Sequence, residues 1–155
     1  MRALHELSIA EASKLLRRRE LTALDLAQAY LARIGKTNAT LNAYITVTTE
    51  TALAQAEAAD RAAATGRFLG PLHGIPIALK DVIATAGIRT TCHSRILLDN
   101  VPAEDAVSYQ RLRAAGAILL GKLATHEFAF GGPSHDLPFP PARNPLALDH
   151  VTGGS

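Results

Sequence analysis

Two stretches of the 155-residue chain combine residue types that do chemistry together. Gly74-Ile75-Pro76-Ile77-Ala78-Leu79-Lys80-Asp81 is an apolar run of strand length ending in a lysine, and Thr152-Gly153-Gly154-Ser155 sets a serine beside glycines. A serine nucleophile system that uses a lysine as its base needs such parts. A lysine accepts a proton only when neutral, and with an ordinary pKa of about 10.4 only about one amine in 2,500 is neutral at pH 7. Bringing that value down to about 7 means destabilising the ammonium by roughly 4.6 kcal/mol, which desolvation between apolar neighbours such as Ile77 and Leu79 helps to supply. The strand reading alone puts Lys80 at a strand's carboxyl end, where open α/β sheets bind their ligands. Plainer readings stand beside these: a lone lysine at a strand end is usually a solvated charge, and Gly-Gly-Ser also describes a flexible loop.

The run Gly70-Pro71-Leu72-His73-Gly74 leading into the lysine strand, the segment Gly121-Lys122-Leu123-Ala124-Thr125-His126-Glu127-Phe128-Ala129, the loop Gly131-Gly132-Pro133-Ser134 and the final Gly-Gly-Ser extend the pattern. Together they resemble the amidase signature family, from Leu7 onward. The resemblance implies an α/β fold in which N-terminal helices precede the start of a mostly parallel or mixed sheet covered by helices. It implies hydrolysis of a carboxylic amide by a Ser-(cis)Ser-Lys system, with Lys80 as general base and Ser155 as the serine that follows a cis peptide bond and relays the proton. The family motif continues as Gly-Gly-Ser-Ser-Gly-Gly with its nucleophilic serine further on, so residues 1–155 read as a partial domain, inactive alone, that stops before the nucleophile. Its divisions would be a mainly helical arm at 1–69 and the first part of the α/β core at 70–155.

The same resemblance makes Gly131, Gly132 and Ser134 substrate-contact candidates, because this loop borders the acyl pocket in relatives; glycines that merely permit a turn are the equal alternative. Pro133 stands where glutamine-using amidotransferase subunits tend to have a small polar residue, and Thr152 replaces a frequent proline. Both departures favour a general amidase over the glutaminase subunit of a tRNA-dependent amidotransferase. A non-catalytic remnant or interaction module is the rival of a different class. The expected partner is a small-molecule amide, with no direct nucleic-acid contact and no membrane, and a homo-oligomer is compatible with the reading.

Composition supports an ordinary enzyme core, with 48% hydrophobic and 19% charged residues and a net charge of only +2. A self-contained chain of this length hides roughly 70% of its unfolded surface. Arg17-Arg18-Arg19 falls where a first helix should end and reads as a solvated terminus, not a nucleic-acid patch. Cys92 is the only cysteine, which excludes an internal disulfide and fits a reducing, cytoplasmic setting. The six histidines lack metal spacing and there is neither a P-loop nor a dinucleotide fingerprint, so no metal and no cofactor are expected. Cys92-His93, taken as extended, would point its side chains in opposite directions and gives no thiol site.

The elements that must position these residues follow from spacing. Ser8-Ile9-Ala10-Glu11 is a capping box opening a helix to about Glu20, and Thr22 to Asp25 repeats the signal for a second helix to about Gly35. Leu41 to Val47 reads as a short extended piece, and Thr49 to Ala64 as a third helix stopped by Gly66. Ile75 to Leu79 reads as a strand buried on both faces, Ala103 to Ala115 as a helix after Pro102, and Ala117 to Leu120 as the next strand, making a parallel βαβ unit. Thr125 to Phe130 reads as a short helix and Gly131 to Pro145, with five prolines, as a loop without regular structure.

Overall fold

A computed structural model describes residues 3–132 and 135–153. After a 3₁₀ turn at Leu4–Glu6, the chain forms α1 (Ile9–Arg18), α2 (Ala23–Leu41), β1 (Tyr44–Val47), α3 (Thr49–Ala64), β2 (Pro76–Lys80), α4 (Val107–Ala114), β3 (Ile118–Leu123), a second 3₁₀ turn at Glu127–Ala129, β4 (Arg143–Asn144) and β5 (Ala147–Val151). β1, β3 and β2 form a sheet in that order, and β4 pairs with β5 in a separate antiparallel hairpin. β1 runs antiparallel to β3. β2 runs parallel to β3: Ile118 N–H donates to the Ile75 carbonyl and Asp81 N–H to the Leu123 carbonyl, so the paired positions advance in the same direction. α4 is the crossover between them.

Two compact units divide the contacts. The first comprises residues 1–36, 48–77 and 110–120. Its interior is aliphatic, drawn from Leu16, Leu26, Ile34, Ile75, Ile118 and Leu119 with small alanines between them. Ser8 caps α1 through the anticipated box, its hydroxyl accepting from Glu11 N–H while the Glu11 carboxylate accepts from Ser8 N–H. The start of α2 is closed by a carboxylate from another helix: Asp60 accepts from Ala23 N–H at 2.7 Å and Leu24 N–H at 3.0 Å. Arg19 donates to the Ala63 carbonyl at 2.9 Å, placing a cation at the carboxyl end of α3. His73 is buried; Nδ1 accepts from Leu69 N–H and Nε2 donates to the Ala59 carbonyl.

The second unit comprises residues 37–47, 78–109 and 121–155. Its interior is polar: Asp81, Thr85, Thr90, Thr91, His93, Ser94, Lys122 and Thr125 are all buried. β1 is held to the second half of β3 with an irregularity between Tyr44 and Thr46. Gly121 permits it, since a Cβ there would lie 2.2 Å from the Thr46 carbonyl oxygen.

Several local expectations are corrected. α2 runs through Gly35 to Leu41 and is ended by Asn42, which adopts φ 52°; a lone glycine costs a helix only about 1 kcal/mol, which is no stop signal when the surrounding face is packed. β2 is half-buried along most of its length, because it lies at an edge of the sheet, whereas central β3 is buried from Ile118 to Lys122. α4 begins at Val107, after Glu104 and Asp105; Asp105 instead accepts from Ala86 N–H at 2.7 Å. Within Thr125 to Phe130 only a 3₁₀ turn forms, and the proline-rich loop closes with the β4–β5 hairpin.

Candidate active site

β2 delivers Lys80 as its last residue, half-buried at the strand's carboxyl end. The next residue is locked. Asp81 N–H donates to the Leu123 carbonyl at 3.0 Å and its own carbonyl accepts from Cys92 N–H at 3.0 Å. Its Oδ2 accepts from both the N–H (2.9 Å) and the hydroxyl (2.6 Å) of Thr91. Its Oδ1 has no hydrogen bond among the described residues and faces Lys122 Nζ at 3.5 Å, an ion pair in which both side chains are 0% exposed. Lys122 Nζ donates in addition to the Ile83 carbonyl at 2.8 Å and the Thr90 hydroxyl at 2.6 Å. Burial pulls the Lys122 amine below the ordinary lysine value, and the Asp81 carboxylate opposes that shift.

The chain then reaches Cys92 and His93, both left-handed with φ of 51° and 57°. The expected extended segment is therefore a tight turn, pinned because Asp81 and Thr91 fix the residues before it. A second consecutive left-handed pair, Phe128 and Ala129 with φ of 50° and 57°, is tied to the first by Phe128 N–H donating to the Cys92 carbonyl at 2.9 Å. Non-glycine residues in this region store strain of order 1 to 3 kcal/mol each, and such strain gathers where a site demands a geometry. His93 is buried with Nδ1 against the Thr125 carbonyl and Nε2 2.8 Å from the Phe139 carbonyl, so it anchors two further loop segments. Cys92 is half-buried, and its thiol is pushed up by burial first and by the Asp81 charge second, with Lys122 pulling the other way.

The loop beyond contains the substrate-contact candidates. Gly131 takes φ 78° and its carbonyl lies 2.7 Å from His126 Nδ1, so backbone conformation explains that glycine. Gly132 has no such φ, and a Cβ there would meet no atom of the described residues within 4 Å. Ser134 and Ser155 lie outside the described residues, as does the peptide bond joining Gly154 to Ser155. The stretch leading to Ser155 is present: Thr152 and Gly153 line a cavity of about 50 Å³ with Thr125, His126, Pro141 and Ala142. The Thr125 hydroxyl is buried and has no hydrogen-bond partner among the described residues. Lys80 is not among the residues around this cavity. The geometry thus joins the glycine motif to the segment after β3 and locks the residue after Lys80 to the same strand. Sequence reasoning passed over Asp81 and Lys122, because the strand read from the apolar run ended at Leu120, whereas β3 continues to Leu123 and takes the lysine into the interior.

β2 and β3 thus pair in parallel, with Lys80 at the end of β2 and a glycine-containing segment later in the chain. The amidase family model matches residues 25–155, and the chain belongs to that family. A glutamyl-tRNA(Gln) amidotransferase subunit from Geobacter metallireducens is 49% identical over 152 residues, 98% of this chain and 31% of that protein. Among solved structures, the native peptide amidase of Stenotrophomonas maltophilia shares 40% identity with a TM-score of 0.75, over 79% of this chain and 26% of its own. A bacterial aryl acylamidase described as an amidase signature enzyme shares 27% identity with a TM-score of 0.88, over 96% of this chain and 31% of its own. The chain thus spans about a third of the length of the curated relatives it matches. No described helix is long and apolar enough to cross a membrane.

Proposed function

We propose that this chain carries the base-bearing part of an enzyme that hydrolyses a carboxylic amide to an acid and ammonia or an amine. The observation that supports it most is the placement of Lys80 at the carboxyl end of β2, within residues matched to the amidase family. In this reading a serine beyond residue 155 attacks the amide carbonyl, its proton passes through the Ser155 hydroxyl to the neutral Lys80 amine, and the leaving nitrogen takes that proton as the C–N bond breaks. Water then releases the acid from the acyl-enzyme. Backbone N–H groups beside the nucleophile would stabilise the oxyanion. Gly131, Gly132 and Ser134 border the acyl group, and no metal or cofactor enters any step.

The second reading is the same chemistry inside a tRNA-dependent amidotransferase, where the ammonia from glutamine passes to a partner protein. The 49% identity to a protein named as an amidotransferase subunit favours it; Pro133 and Thr152 favour the general amidase. The test is ammonia release from propionamide, benzamide, leucinamide and glutamine by the enzyme, with and without Lys80→Ala and Lys80→Arg. Both variants should be inactive, since arginine does not deprotonate at working pH. Activity retained by Lys80→Arg would overturn the role as base, and turnover of glutamine alone together with a co-purifying partner would select the second reading.

A further inference from the structure

The mechanism makes no use of Asp81 and Lys122, yet they are the most thoroughly buried charges among the described residues, at 0% side-chain exposure. Replacing such a pair by apolar residues of similar volume is often neutral or stabilising, so stability is a weak reason for it. Its geometry supplies a better one. Asp81 is gripped through its N–H by Leu123, through its carbonyl by Cys92 and through Oδ2 by Thr91, while Lys122 reaches from β3 to Asp81, Thr90 and Ile83. All of these links converge on the segment that begins one residue after Lys80. A base must keep its amine within a fraction of an ångström of the proton it takes.

We infer that the Asp81–Lys122 pair, with Thr91, is the positioning device for Lys80: it fixes the end of β2 so that the Lys80 amine meets the relay serine, and it balances the Asp81 carboxylate beside a base that must give up its own proton. The inference rests on the reading of Lys80 as general base. Neither Asp81 nor Lys122 touches substrate; both act through Lys80.

Thr91→Val keeps the side-chain volume and removes the hydroxyl that binds Asp81, Lys122→Met removes the cation, and Asp81→Asn with Lys122→Met removes both charges. Hydrogen exchange reads the Asp81 amide, and kcat and KM are measured on whichever of the four amides is turned over fastest. Thr91→Val and Lys122→Met should each speed Asp81 exchange while the α3 amides keep their protection, and each should lower kcat about tenfold or more with KM within about twofold. The double variant should recover part of the kcat lost in Lys122→Met. Unchanged Asp81 exchange in folded Thr91→Val overturns the inference, whether or not Lys122→Met folds. Wild-type kcat in Thr91→Val, with Lys80→Arg dead, overturns the positioning role and leaves the base reading intact. Activity in Lys80→Arg strikes the base reading instead, and then faster Asp81 exchange would show an anchored strand end that serves no base.

Discussion

Asp60 in α3 holds the Ala23 N–H at the start of α2 at 2.7 Å, doing from another helix what a side-chain cap does from the preceding residue. The free N–H groups of a first turn want an acceptor, and a carboxylate also answers the positive end of the helix dipole. Asp60→Ala should therefore cost about 1 to 2 kcal/mol in urea unfolding, and Asp60→Asn less. Equal stability in Asp60→Ala would mean that Thr22, whose hydroxyl accepts from Asp25 N–H, caps the helix unaided.

Gly121 meets the Thr46 carbonyl, and any larger residue must displace backbone. Gly121→Ala should loosen the pairing of β1 with β3, costing about 1 to 3 kcal/mol. The specific readout is faster amide exchange at Thr46 and Val47, with α1 unchanged; uniform exchange across the chain would place the damage elsewhere.

Lys122 should give alkaline stability a recognisable slope. Burial holds its amine below the ordinary value of 10.5, so between the two values the unfolded chain binds a proton that the folded chain has released. Stability then rises with pH through that window. Lys122→Met should flatten this rise and, by leaving Asp81 buried without its cation, lower stability at neutral pH by about 3 to 5 kcal/mol. Denaturation midpoints from about pH 7 to 11 in the two proteins decide it.

Cys92 should be a slow thiol. With its value raised by burial and by Asp81, alkylation at about pH 8 should lag behind a free cysteine. Asp81→Asn should speed it and Lys122→Met should slow it, measured by mass spectrometry under conditions where each variant is folded. The reverse order would mean that the charges act on this turn by loosening it and not through their field.

Local signals were legible where one neighbourhood settled the outcome. Ser8 and Glu11 announced their capping box, and Thr49 to Ala64 is the helix its alanines describe. Lys80 at the end of a strand was readable because an apolar run ends there. What was not readable depends on residues far apart in sequence. Burial on both faces was assigned to β2, but position in the sheet gives it to β3. The left-handed turn at Cys92 and His93 follows from Asp81, ten residues earlier, gripping Thr91. Lys122 drew no notice after Gly121, since nothing adjacent reveals that Asp81 and Thr90 await it.

The contrast between the two interiors bears on which substitutions the chain can absorb during divergence. An interior of leucine, isoleucine and alanine accepts many exchanges that conserve volume. An interior of threonine, histidine, aspartate and lysine does not, because Val in place of Thr85, Thr90 or Thr91 keeps the shape and removes a hydrogen-bonding group. A saturation survey should therefore find the first unit permissive to aliphatic drift and the second sensitive to the loss of a single oxygen, so that the part of the molecule holding Lys80 changes most slowly.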